Sequence, residues 1–154
     1  MQSLKDRFDE LIERIRYGRD LHHASFEPIY YFVFPPEELI EIKRSMPALN
    51  AKIRNSGWKV HRFSVAEHII DLLQHAPLRD IWIKADKKNP LDWDKSNQAL
   101  ANALSSGVLG DRLKAELEKL KFDKNAIILV TDLESLHPYL RDRKSTRLNY
   151  SHRL

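Results

Sequence analysis

Two clusters and one adjacent pair in this 154-residue chain have types and spacings that can do chemistry. Asp132, near the end of the apolar run NAIILVTDL, and Glu134 and His137 just after it stand at the end of a strand, where carboxylates and an imidazole serve as general acid and base. His68, Asp71 and His75, at offsets of three and seven, share one helical face and can present two imidazoles and a carboxylate to a metal. His22 and His23 are adjacent in a polar connector, where neighbouring side chains diverge. Each set also has a plainer reading, as a solvated loop or as the polar face opposite Ile69, Leu72 and Leu73. No HExxH motif is present. The chain has no cysteine, which excludes thiolate catalysis, Cys-based zinc sites and disulfides. Its four glycines form no phosphate-cradling loop, so a P-loop and a dinucleotide fingerprint are also excluded. Spacing alone assembles no serine, base and orienting acid. The residues therefore assign no catalytic or metal set, and they imply no cofactor.

The elements that must position these groups follow from periodicity. Ser3 caps a helix with Leu4, Phe8, Leu11, Ile12 and Ile15 on one face. After Gly18 and a polar connector, PIYYFVF (28–34) reads as a buried strand, stopped by Pro35 and Pro36. Its aromatics, Tyr30, Tyr31, Phe32 and Phe34, have no interleaved cations, which favours core packing over a stacking platform for bases. Pro36, Glu37 and Glu38 suit a first helical turn, because proline needs no donor there and carboxylates favour the positive end of the dipole. Leu39, Ile42, Met46, Leu49 and Ile53 continue that helix, with a break expected near Ser45 and Met46 because of Pro47. WKVHRF (58–63) alternates as a second strand. SVAE (64–67) is a capping box that opens a helix through Val65, Ile69, Leu72, Leu73 and Ala76, closed by Pro77. Residues 78–90 fit either a helix or a short strand. Residues 93–121 are mostly helical, interrupted at Gly107 and Gly110, and 125–133 is the third strand.

Strands separated by helices predict an α/β fold, a small layered sheet with at least partly parallel strands covered by helices. Ligands in such sheets sit beyond the carboxyl ends of the strands, here 35–38, 64–67 and 132–137.

The formal charge is +4, from 26 basic and 22 acidic residues. Much of that excess lies in DRKSTRLNYSHRL, residues 142–154, whose first eleven residues differ at one position from DRKSTRLNSSH, the translation of a common sequencing adapter. We read 142–154 as translated adapter joined to a C-terminally truncated gene, and 1–141 as one truncated α/β domain. Setting aside the tail's four basic and one acidic residue leaves 22 against 21, and the electrostatic case for nucleic-acid binding falls with it. No apolar run is long enough to cross a bilayer, and the N-terminus lacks a secretory h-region, so a cytoplasmic protein without membrane partners is expected.

Two stretches carry a family resemblance. One is Phe34, Pro35, Pro36, Glu37 and Glu38 after an aromatic segment; the other is Leu136, His137, Pro138, Tyr139, Leu140 and Arg141. Over roughly 29–141 the chain resembles BrxB, the small component of bacteriophage-exclusion (BREX) defence systems. The family usually has glycines in the turn where this chain has Asp132 and Glu134, and an aromatic where it has His137. The resemblance implies a multi-gene system that also holds a DNA methyltransferase, a large ATPase and a PglZ-type protein. BrxB-like proteins have no established enzymatic role, which implies a cofactor-free scaffold that contacts other BREX proteins, chiefly the PglZ-type one. Two alternatives stay open: a degenerate nucleotide-binding or hydrolytic domain with its crevice near Asp132, Glu134 and His137, and a nucleic-acid-binding accessory protein.

Overall fold

The helix that Ser3 was expected to cap runs from Leu4 to Leu21 (α1) in the computed structural model, which describes residues 3–21 and 29–137. The cap is reciprocal. The Asp6 amide donates to Ser3 Oγ at 3.2 Å, while the Ser3 amide and hydroxyl donate to Asp6 Oδ2 at 3.2 and 2.7 Å. Those bonds hold the Asp6 carboxyl below its ordinary range. Phe8, Ile12 and Ile15, the centre of the expected apolar stripe, are buried.

Two compact units divide the chain, Met1–Val60 and His61–Leu154. In the first, α1 packs against α2 (Leu39–Asn55), which contributes Ile42, Leu49 and Ile53. Arg7 pairs with Glu38, and Lys52 Nζ reaches Asp9 Oδ1 at 2.5 Å. Pro36–Glu38 form a 3-10 turn that leads into α2. The break expected before Pro47 does not occur, and α2 is continuous. Proline removes one main-chain bond, but buried residues lie on the same face before it, at Ile42, and after it, at Leu49 and Ile53, so packing holds the axis. Gly57 at φ +90° ends this region in a backbone conformation that side-chain-bearing residues rarely adopt.

Among the described residues, the segment expected as the first strand is not in a sheet. Residues 29–34 have no strand partner among the described residues, although burial alternates along them, with Tyr30, Phe32 and Phe34 half-buried and Ile29, Tyr31 and Val33 exposed. Strand propensity supplied the right residues, but a strand also needs a neighbour, which local sequence does not specify. Its carboxyl end, 35–38, therefore lines no sheet crevice among the described residues.

A parallel two-stranded sheet pairs β1 (Lys59–Ser64), which begins at the end of the first unit, with β2 (Ala126–Thr131) of the second, in a mostly helical α/β fold. Four helices connect the strands: α3 (Val65–Gln74), α4 (Arg79–Lys88), α5 (Trp93–Ser105) and α6 (Val108–Leu120). The ambiguous stretch 78–90 is thus helical. Gly107 at φ +85° separates α5 from α6, whereas Gly110 lies inside α6. Phe63, Val65, Ile69, Leu104 and Leu109 form the core, flanked by Leu72, Leu73, Leu113, Ile128, Val130 and Leu136. β2 is half-buried along its whole length, because a two-stranded sheet leaves each strand one open edge.

Candidate functional site

The carboxyl ends of β1 and β2 lie side by side, and Ser64 and Asp132 meet there. Ser64 is only 2% exposed, and its hydroxyl does two things. It accepts the Glu67 amide at 3.3 Å, capping α3, and donates to Asp132 Oδ2 at 2.6 Å. The same carboxylate oxygen receives the Thr131 hydroxyl at 2.9 Å and Arg62 Nη2 at 3.2 Å. Arg62 Nε donates to Thr131 Oγ1 at 3.3 Å, and its Nη1 lies 3.3 Å from Glu67 Oε1. Glu67 therefore turns toward Arg62, while its amide provides the capping bond.

Asp132 is the one non-glycine residue with positive φ among the described residues, at +61°. Aspartate tolerates this left-handed region better than most side chains. The turn directs its carboxylate back onto the strand ends, and the side chain is 12% exposed. Three donors converge on Oδ2 and fix the orientation of the carboxylate.

Asp132 was expected to share a crevice with Glu134 and His137. The structure sets Asp132 against Ser64, Thr131 and Arg62, and Glu134 and His137 are exposed in and after the 3-10 turn Leu133–Leu136 that follows it. The Ser135 amide bonds the Asp132 carbonyl at 3.0 Å, and the His137 amide bonds the Glu134 carbonyl at 3.1 Å. Ser64 was read as a cap and as part of the strand end 64–67, without a link to Asp132. Arg62 and Thr131 carried no signal, since the pairing that aligns them with Asp132 joins positions about seventy residues apart.

A second polar cluster lies where α3 meets α6. Arg112 Nη1 donates to Asp71 Oδ2 at 2.7 Å and lies 3.3 Å from His68 Nδ1. His75 Nδ1 lies 3.2 Å from Asp71 Oδ1 and 2.9 Å from the Asp71 carbonyl. His68 stacks on Phe63 with ring centroids 4.0 Å apart. The hydrogen bond from Arg112 holds the Asp71 carboxyl below its ordinary range. His68, Asp71 and His75 do share a face, but a guanidinium joins the first two, and a fixed cation there opposes a second one. Among the described residues, no group of three His, Cys, Asp or Glu is placed to hold a metal.

Of the family-motif positions, Pro35 is extended, Pro36 opens the 3-10 turn and Glu37 is exposed; Glu38, not Glu37, makes the ion pair with Arg7. Pro138, Tyr139, Arg141, the pair His22 and His23, and residues 142–154 lie outside the described residues.

Large apolar side chains are also exposed on and around α4. No residue of α4 is buried, and Leu78, Ile81, Leu91 and Trp93 are all more than half exposed, Leu91 at 91%. Trp93 is tethered by its indole N–H to the Pro90 carbonyl at 2.9 Å, and the Ser96 hydroxyl bonds Asp86, tying α5 to α4. Among the described residues, no helix is long and apolar enough to cross a membrane. No protein-family model, curated protein or solved structure matches the chain.

Proposed function

We propose that this chain is a non-enzymatic, protein-binding component of a BREX-type phage-defence assembly, with a PglZ-type protein as its partner. The observation that carries the protein-binding part is the exposed apolar set Leu78, Ile81, Leu91 and Trp93 on and around α4. Large apolar side chains in water favour association, and aromatic anchors dominate interface energies. The Trp93 tether and the Asp86–Ser96 bond order that surface beforehand, which lowers the entropy cost of docking. The assignment to a defence assembly rests on the resemblance over residues 34–38 and 136–141. The test is capture of the chain by a purified PglZ-type protein without nucleotide or divalent metal, compared with Ile81→Asp/Trp93→Asp. Binding by the wild type and its loss in the variant, with an unchanged thermal melt, support the proposal. An obligatory nucleotide, or equal binding by both proteins, refutes it.

A second reading is favoured by one observation, the left-handed Asp132 at the carboxyl ends of parallel strands, where backbone outliers and ligands both concentrate. On this reading the chain binds nucleotide through Asp132, Glu134 and His137. Calorimetric titration with ATP tests it: heat lost in Glu134→Ala/His137→Ala sustains the reading, and a flat wild-type titration ends it.

A further inference from the structure

The geometry points to a second copy of this chain as the strand partner of residues 29–34, paired antiparallel about Tyr31. One side of the segment is already fixed. Phe32 lies against Phe8 at 4.9 Å between centroids and 6.1 Å from Phe34, Arg7 sits 5.6 Å over the Phe32 ring, and the Tyr30 hydroxyl donates to the Arg14 carbonyl at 3.3 Å. The other side carries Ile29, Tyr31 and Val33 into water, Tyr31 at 63% and Val33 at 82% exposure. Between the two rows, the main-chain amides and carbonyls of Tyr31, Phe32, Val33 and Phe34 make no hydrogen bond among the described residues. Alternate residues turn these groups to opposite edges, where water satisfies them in the free chain, and an extended chain added at one edge would pair with every second residue.

The segment's own composition identifies that chain as a copy of itself. Residues 29–34 carry no charge, so self-pairing meets no like-charge penalty, and they lack the lysines with which natural edges repel their copies. The exposed row reads β-branched, aromatic, β-branched in both directions. In the antiparallel register centred on Tyr31, Ile29 therefore faces Val33 of the other copy, and Tyr31 faces Tyr31. The inner row pairs Tyr30 with Phe32. Aromatic and β-branched pairs are the favourable cross-strand neighbours. Pro35 and Pro36 limit the ladder at one end, because proline has no N–H to give. So short a ladder belongs to the small, weak class of interfaces, with dissociation in the micromolar range or above.

The test uses the whole chain. Sedimentation velocity from low to high micromolar concentration should show a monomer–dimer equilibrium. Tyr31→Lys places two ammonium groups opposite each other at the two-fold axis and should weaken the dimer at least about fivefold. Tyr31→Glu should do the same, and an equimolar mixture of the two variants should dimerise again. Tyr31 is exposed, so both variants should keep the wild-type circular dichroism spectrum. A wild type that stays monomeric at high micromolar concentration overturns the inference, as does a mixture that fails to recover. Amide protection at 31–34 that does not vary with concentration also overturns it, since the partner would then be another stretch of the same molecule.

Discussion

Removing the Ser64 hydroxyl should cost the second unit a large fraction of its stability. The group is almost wholly buried and serves two partners, the Glu67 amide and the Asp132 carboxylate. Loss of an N-cap acceptor costs about 0.5–2 kcal/mol. Loss of a hydrogen bond to a charged group costs about 1.5–3 kcal/mol. These losses share one side chain, and Asp132 keeps Thr131 and Arg62, so the sum falls short of the maximum: Ser64→Ala should destabilise by about 2–3 kcal/mol. For a chain of this length that is roughly 5–10 °C in melting temperature. Urea unfolding should show a lower midpoint at unchanged slope, read from tryptophan fluorescence. A cycle with Asp132→Ala should give a coupling energy of about 1–2 kcal/mol between the two positions. A Ser64→Ala protein within about 0.5 kcal/mol of wild type would refute the clasp, and a coupling near zero would place the two residues in separate roles.

Three more outcomes follow from the same geometry. Folding lowers the Asp71 pKa through Arg112, so the stability from this pair is fully present above the ordinary carboxylate value, about 4, and is lost as pH falls through the lower folded value. Thermal melts from about pH 6 to 3 should therefore show a shallower acid loss for Arg112→Gln than for wild type, and parallel curves would contradict the assignment. Pro47→Ala restores a main-chain bond within a continuous helix and should stabilise the first unit by about 1–2 kcal/mol in urea titration, whereas a neutral or destabilising effect would mean that the proline is better accommodated than the helix suggests. Gly57→Ala meets no atom within 4 Å, so its cost is that of a positive φ alone, about 1 kcal/mol, and a change below a few tenths in the melt would show that the turn relaxes.

What the sequence made legible was local chemistry. Ser3 and Ser64 were readable as caps, because a hydroxyl three residues before an acid acts within a single turn. The buried face of α1 was readable because its period is intrinsic to the helix. Two failures share a cause. Residues 29–34 have the composition of a buried strand, and Pro47 that of a break, but a strand depends on a neighbour and a helix axis on what packs beside it. The site was legible in part. Asp132 was picked out by its place after an apolar run, but its partners Ser64, Thr131 and Arg62 are set by strand pairing between distant segments. Arg112, which links His68 to Asp71, comes from a helix some forty residues away, and one positive charge on a helix face does not announce that role.

The parallel pairing of β1 with β2 also bears on the order in which the chain folds. Antiparallel neighbours can join through a short turn, whereas these strands must wait until α3, α4, α5 and α6 have been laid down between them. Closing so long a loop is entropically slow, while each helix forms from contacts within a few residues. Pairing of the two strands is therefore expected at the barrier itself, together with the Ser64–Asp132 bond that accompanies it. Weakening this bond should accordingly slow folding as well as speed unfolding, and stopped-flow rates of Ser64→Ala that change only in unfolding would contradict that order.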